Sequence, residues 1–116
     1  MTKQFSRISV IGLGYVGLPL AISFSKIYDV TAIDINTKRV EELKLFKDST
    51  NEVDEIDLKK AINNNLKISS NYSDASNCNI YIVTVPTPVD KKKLPDLSFL
   101  KSASQSIGEL IKKDDI

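Results

Sequence analysis

An apolar stretch, Val10-Ile11, runs directly into Gly12-Leu13-Gly14-Tyr15-Val16-Gly17, and a second, Val30-Thr31-Ala32-Ile33, ends in Asp34. This order constrains the fold more than any other feature of the chain. Three glycines at this spacing, between a strand and a helix, let a backbone pass close to a dinucleotide pyrophosphate. Gly12 permits a tight turn, Gly14 lets the backbone approach the phosphates, and Gly17 lets the helix pack close to the strand. The N–H groups at the helix start, at Tyr15 and Val16, then face the anion. Asp34, 22 residues after Gly12, is placed to accept hydrogen bonds from a ribose diol and to repel a 2′-phosphate, which favours NAD over NADP. Arg39 pulls the other way, since an arginine near that carboxylate accommodates the phosphate. Packing without a ligand is the competing reading of the glycines, and a helix cap that of Asp34. The placement of the glycines favours a cofactor, and Asn36 or Thr37 can supply the cap, leaving Asp34 free.

The rest of the chain alternates strands and helices. Arg7 to Ile11 reads as a buried strand and Tyr15 to Ile27 as a helix, with Pro19 in its first turn, where the missing N–H costs little. Leu18, Ala21, Ile22 and Phe24 suit its packed face. Val30 to Ile33 is a second strand, and Lys38 to Leu45 a helix with Val40 and Leu43 inward. Phe46 to Glu55 is polar and irregular, a surface loop. A short helix over Ile56 to Asn63, a strand over Leu66 to Ile68 and a turn over Ser70 to Asn77 lead to the β-branched strand Asn79 to Val85. Pro86-Thr87-Pro88 stops it. A final helix spans Leu97 to Lys112, with Leu97, Leu100, Ala103, Ile107, Leu110 and Ile111 at helical spacing and Phe99 and Leu100 read as core. The expected class is α/β, a Rossmann-like doubly wound parallel sheet with right-handed crossovers.

In such sheets ligands bind outside the carboxyl ends of the strands. Val85, Pro86 and Thr87 leave the fourth strand at that end, with Thr87 the polar contact for ribose or pyrophosphate. The competing reading is a loop whose prolines merely end a strand. Only four strands are visible where a full dinucleotide fold has about six. Residues 1–116 are therefore expected to be an incomplete N-terminal domain of a larger enzyme. Its fourth strand would offer a bare edge through which the fragment self-associates, or which the last helix hides.

Composition narrows the function further. The chain has 116 residues, enough for one domain with a real core. Sixteen basic and fifteen acidic residues leave a formal charge of +1, so nothing argues for a nucleic-acid surface. With no histidine, a histidine base or ligand is excluded within the chain, and no metal site is expected. The one cysteine, Cys78, has no internal disulfide partner, which fits a reducing, cytoplasmic compartment. It reads as a small buried hydrophobe. No apolar run approaches the roughly 20 residues of a membrane span. Met1 to Ser6 is too short and polar for a secretion signal. Lys91, Lys92 and Lys93 read as a solvated loop.

The chain resembles the N-terminal part of the UDP-glucose/GDP-mannose dehydrogenase family along nearly its whole length. The resemblance rests on Gly12 through Ala21, on Asp34 with Arg39, and on Val85-Pro86-Thr87-Pro88 followed by Pro95-Asp96-Leu97-Ser98. The loop after the second helix and the run Tyr81 to Pro86 look most like bacterial UDP-N-acetylhexosamine 6-dehydrogenases of surface-polysaccharide synthesis. The resemblance implies an NAD-dependent enzyme that oxidises C6 of a nucleotide-sugar from alcohol to carboxylate, passing two hydrides to two NAD molecules in turn. It implies that Arg39 lies along the adenosine and that the full-length enzyme is a homo-oligomer. The family's cysteine nucleophile and its helpers lie in later strands and domains. None has a counterpart here, so no catalytic residue is assigned and the fragment alone is expected to be inactive. Cys78 precedes the fourth strand and is not that nucleophile. Two other functions stay open: a non-catalytic dinucleotide-binding sensor, and another NAD-dependent oxidoreductase such as a hydroxyacid dehydrogenase, which would not call for Val85 to Pro88.

Overall fold

A computed structural model describes residues 6–116; the secretion-signal reading falls on a segment whose first five residues lie outside them. In chain order the elements are β1 (Arg7–Ile11), α1 (Gly17–Ser25), β2 (Asp29–Ile33), α2 (Thr37–Lys44), α3 (Glu55–Asn63), β3 (Leu66–Ser69), a 3-10 turn (Tyr72–Ala75), β4 (Ile80–Val83) and α4 (Ser98–Gly108). The four strands form one sheet in the order β3-β2-β1-β4. All pairings are parallel: Ile8 stands opposite Val30 on one side and Ile80 on the other, and Val30 opposite Leu66.

Alternation along the strands gives the sheet two buried faces, as parallel sheets require. Ile8, Val10, Val30, Ala32, Leu66 and Ile68 pack under α1, α2 and α3, meeting Leu18, Ala21, Val40, Leu43, Leu58 and Ala61. Ile11 and Ile33 turn to the opposite face and pack with Ala75, Cys78 and, from α4, Ala103 and Ile107. Cys78 is buried and burial pushes its thiol up, which suits an unreactive packing role.

The helix starts are built differently. Asn36 caps α2, its side chain accepting from the N–H groups of Lys38 and Arg39. Asp54 caps α3 through the N–H of Asp57. Helix α1 follows Val16 and has no side-chain cap. Helix α2 stops where Phe46 takes a left-handed φ of 65°. The N–H groups of Phe46 and Lys47 then close back on the carbonyls of Leu43 and Glu42, a C-terminal motif that usually needs glycine. The turn folds residues 47–53 back against α2.

Two expectations need correction. Strand β4 ends at Val83 rather than Val85, and α4 begins at Ser98. Less sheet then lies beneath the first turn of α4, and Leu97, Phe99 and Leu100 are 44%, 41% and 37% exposed instead of buried. Contact with the sheet begins one turn later, at Ala103. The outer edge of β4 is also not bare along its whole length, and α4 is not what covers it. Tyr81 donates its N–H to the Ile116 carbonyl at 2.7 Å, and the Ile116 N–H reaches the Asn79 carbonyl at 2.9 Å. Past that point β4 has no outer strand partner among the described residues.

Candidate functional site: a crevice at the strand ends

The glycine turn is fixed from three sides. Gly12 has φ +98° and donates its N–H to the Ile33 carbonyl at 2.7 Å. An added Cβ there would lie 3.0 Å from backbone atoms of Thr84 and Val85, so both φ and space select glycine. The Leu13 N–H donates to Oδ2 of Asp34 at 2.9 Å. Just past the end of β4, the Thr84 N–H reaches the Ile11 carbonyl at 2.8 Å. The Thr84 hydroxyl donates to the Gly12 carbonyl at 2.7 Å, with the Ile11 carbonyl at 3.1 Å. At Gly17 a Cβ would overlap the Gly12 carbonyl and the Thr84 hydroxyl. Gly17 therefore brings α1 against the turn.

Above the turn lies a cavity of about 1130 Å³. Gly12, Gly14, Tyr15, Val16, Asp34, Arg39, Val85, Pro86 and Thr87 all line it; Gly17 sits behind it as the packing residue. A Cβ at Gly14 would meet no atom within 4 Å, so the turn presents bare backbone to open space. The N–H groups of Gly14, Tyr15 and Val16 have no acceptor among the described residues. Uncapped N–H groups at a helix start are a ready anion site. These features fit a dinucleotide, with the pyrophosphate on the N–H groups and a ribose at Asp34. A smaller cavity of about 620 Å³ at the other end of the sheet, with Arg7, Lys67 and Cys78 on its walls, has no glycine turn.

Asp34 is not free, contrary to expectation. Besides holding Leu13, its Oδ1 accepts from the Asn36 N–H at 2.9 Å. Asn36 caps α2 all the same. A carboxylate has about four acceptor positions, so a ribose diol still finds room. Arg39 is buried, and its guanidinium is committed to the protein: Nε donates to the Leu13 carbonyl, and Nη1 to Glu42 and Asp48, each at 2.8 Å.

Several site residues escaped the sequence reading. Thr84 lies inside the β-branched run, where nothing separates a clasp from a strand residue. Tyr72 lines the cavity, and burial together with the nearby Asp34 charge pushes its phenol up. Phe99, expected in the core, is on the cavity wall. Glu42 and Asp48 gave no sequence signal at all.

The model of the UDP-glucose/GDP-mannose dehydrogenase family's NAD binding domain matches residues 6–116. The chain belongs to that family. It is 51% identical over 110 residues to a UDP-N-acetyl-D-glucosamine 6-dehydrogenase of Pseudomonas aeruginosa, covering 95% of this chain and 26% of that protein. It is 46% identical over 110 residues to the protein CapL of Staphylococcus aureus, covering 95% and 25%. A solved structure of a UDP-D-ManNAc dehydrogenase from Pyrococcus horikoshii superposes with a TM-score of 0.88 at 31% identity, over 95% of this chain and 27% of that one. The chain thus spans about a quarter of the length of these family members. Residues 6–116 are thus an NAD-binding domain of that family, and the fold is the expected Rossmann-like parallel sheet.

Proposed function

We propose that the chain is the NAD-binding part of a nucleotide-sugar 6-dehydrogenase, which oxidises the C6 alcohol of a UDP-N-acetylhexosamine to a carboxylate for surface-polysaccharide precursors. The observation that carries this is the uncapped start of α1, whose N–H groups at Gly14, Tyr15 and Val16 open onto a cavity that also holds Asp34. The kinship with a UDP-N-acetyl-D-glucosamine 6-dehydrogenase supports the substrate class. NAD, when bound, supplies the hydride acceptor. This chain's residues do the holding: Gly14 to Val16 take the pyrophosphate, Asp34 takes the adenosine ribose diol, and Val85, Pro86 and Thr87 border the same cavity from the segment that follows β4. Arg39 keeps the turn in place through the Leu13 carbonyl.

No residue of the chain has a catalytic role in this reading. The sugar, the reacting cysteine and the homo-oligomer contacts belong to a longer protein of which residues 1–116 are the N-terminal part. The lone cysteine supports a reducing, cytoplasmic setting. Among the described residues no helix is long and apolar enough to cross a membrane.

Calorimetric titration of the folded chain tests the binding half of the proposal. NAD is expected to bind, and NADP to bind far more weakly. No heat with NAD at millimolar concentration refutes it. The longer protein is expected to form two NADH per UDP-N-acetylhexosamine consumed. An absence of NADH with every UDP-sugar overturns the activity.

A further inference from the structure

Arg39 is the one cation among the described residues lining the cavity, and Asp34 the one anion. An arginine close to the ribose carboxylate is what a 2′-phosphate needs, provided its guanidinium is available. Here it is not. The side chain is 9% exposed. Nε is spent on the Leu13 carbonyl, and Nη1 on both Glu42 and Asp48. Nη2 is buried with no partner. Arginine grips a phosphate through two parallel N–H groups, from Nε with Nη2 or from Nη1 with Nη2, and here each pair has one member already engaged.

The two carboxylates are themselves held. Glu42 lies one helical turn beyond Arg39 and accepts from the Ser49 hydroxyl at 2.9 Å. The Asp48 side chain is 0% exposed and accepts from the N–H groups of Thr50, Glu52 and Val53. Arg39 with its two partners carries a net charge of −1, and Asp34 adds to it. A second phosphate would meet a negative field and a guanidinium already engaged.

We infer that Glu42 and Asp48 are specificity-determining residues acting through Arg39: they hold its guanidinium on the glycine turn and cancel its charge, so that the crevice rejects a 2′-phosphate. The inference rests on the NAD-binding reading of the crevice. Asp34 repels the phosphate directly, and the pair removes the cation that could offset that repulsion. They are positioning residues and touch no cofactor atom in this scheme.

The test is titration of the parent chain, Glu42→Gln and Asp48→Asn with NAD and NADP, with thermal unfolding of each to show that it is folded. Removing one carboxylate is expected to raise the NADP-to-NAD affinity ratio by about three- to tenfold at low ionic strength. Adding Arg39→Gln to Glu42→Gln is expected to abolish that gain. A purely structural role would weaken both dinucleotides together and leave the ratio where it was. Glu42 is partly exposed, 29%, so Glu42→Gln carries the test even if Asp48→Asn does not fold. An unchanged ratio in folded Glu42→Gln overturns the inference while leaving NAD binding intact. Failure of the parent chain to bind NAD is a different result, and overturns the underlying reading of the site.

Discussion

Replacing Asp48 by asparagine tests whether one carboxylate fastens the loop that backs the crevice. Oδ1 accepts from Arg39 Nη1 at 2.8 Å and from the Thr50 hydroxyl at 2.6 Å. Oδ2 accepts from the N–H groups of Glu52 and Val53, both at 3.0 Å. Asparagine keeps one acceptor, turns an NH2 toward donors and removes the charge opposite Arg39. Burial alone pushes the Asp48 carboxyl up, but the bonds from Thr50, Arg39 and Val53 outweigh it and hold it at about 2, against an ordinary 3.8. At about 1.36 kcal/mol per tenfold change in proton affinity, that difference is worth about 2 kcal/mol. The folded pKa lies below the unfolded one, so on acidification the unfolded chain takes the proton first. The contribution is complete above about pH 5, about 1 kcal/mol is gone at about pH 3, and most is gone at about pH 2.

Urea unfolding followed by circular dichroism, from about pH 7 down to about pH 3, reads this directly. The stability gap between the parent and Asp48→Asn isolates the group, because the other carboxylates titrate in both chains. The gap is expected to be about 2–3 kcal/mol at neutral pH and to narrow by about 1 kcal/mol at about pH 3. A gap that does not change with pH, or that is below about 0.5 kcal/mol at neutrality, would refute the claim that ionised Asp48 is the fastening.

Gly17→Ala gains up to about 1 kcal/mol of helix propensity, yet its Cβ would overlap the Gly12 carbonyl; a net loss of about 1–3 kcal/mol and a lower urea midpoint are expected. Thr84→Val keeps the side-chain shape but removes the hydroxyl that satisfies the Gly12 carbonyl; about 1 kcal/mol of stability and at least part of the NAD affinity should go with it, the latter read by calorimetry. Asn36→Ala removes the cap on Lys38 and Arg39 and is expected to cost about 1 kcal/mol in thermal unfolding, whereas Asn36→Asp should retain most of it.

What the sequence makes legible here is local. The glycine spacing, the strand run into it and the carboxylate after β2 depend on neighbours within a few residues, and the structure brings Gly12, Gly14 and Asp34 to one crevice. Strand β1 has the bounds expected of it, and Asn36 is one of the two caps foreseen. The errors fall where distant parts meet. Helical spacing identifies α4 as amphipathic but cannot say how far the sheet extends beneath it, so Leu97, Phe99 and Leu100 look like core until β4 is seen to stop at Val83. Asp48 looks like an ordinary polar residue in an irregular loop. It becomes a buried anion only because Phe46 turns the chain back and Arg39 is waiting nine residues upstream.

The structural and binding readings of Asp34 are therefore not rivals. Its bonds to the N–H groups of Leu13 and Asn36 fix the carboxylate between the glycine turn and the start of α2 before any ligand arrives. A ribose would meet an acceptor already oriented, which lowers the ordering cost of binding. Helix α1 makes the complementary arrangement. Leu18 and Ala21 are fully buried, so packing holds the helix and no side chain is required at its start. The N–H groups that a cap would have consumed stay open to the cavity. A cap on α1 would add stability locally and close those N–H groups off from the cavity. Helix α2 also begins at the cavity, but there Asn36 accepts from the N–H groups of Lys38 and Arg39, so the open N–H groups beside the glycine turn are those at the start of α1.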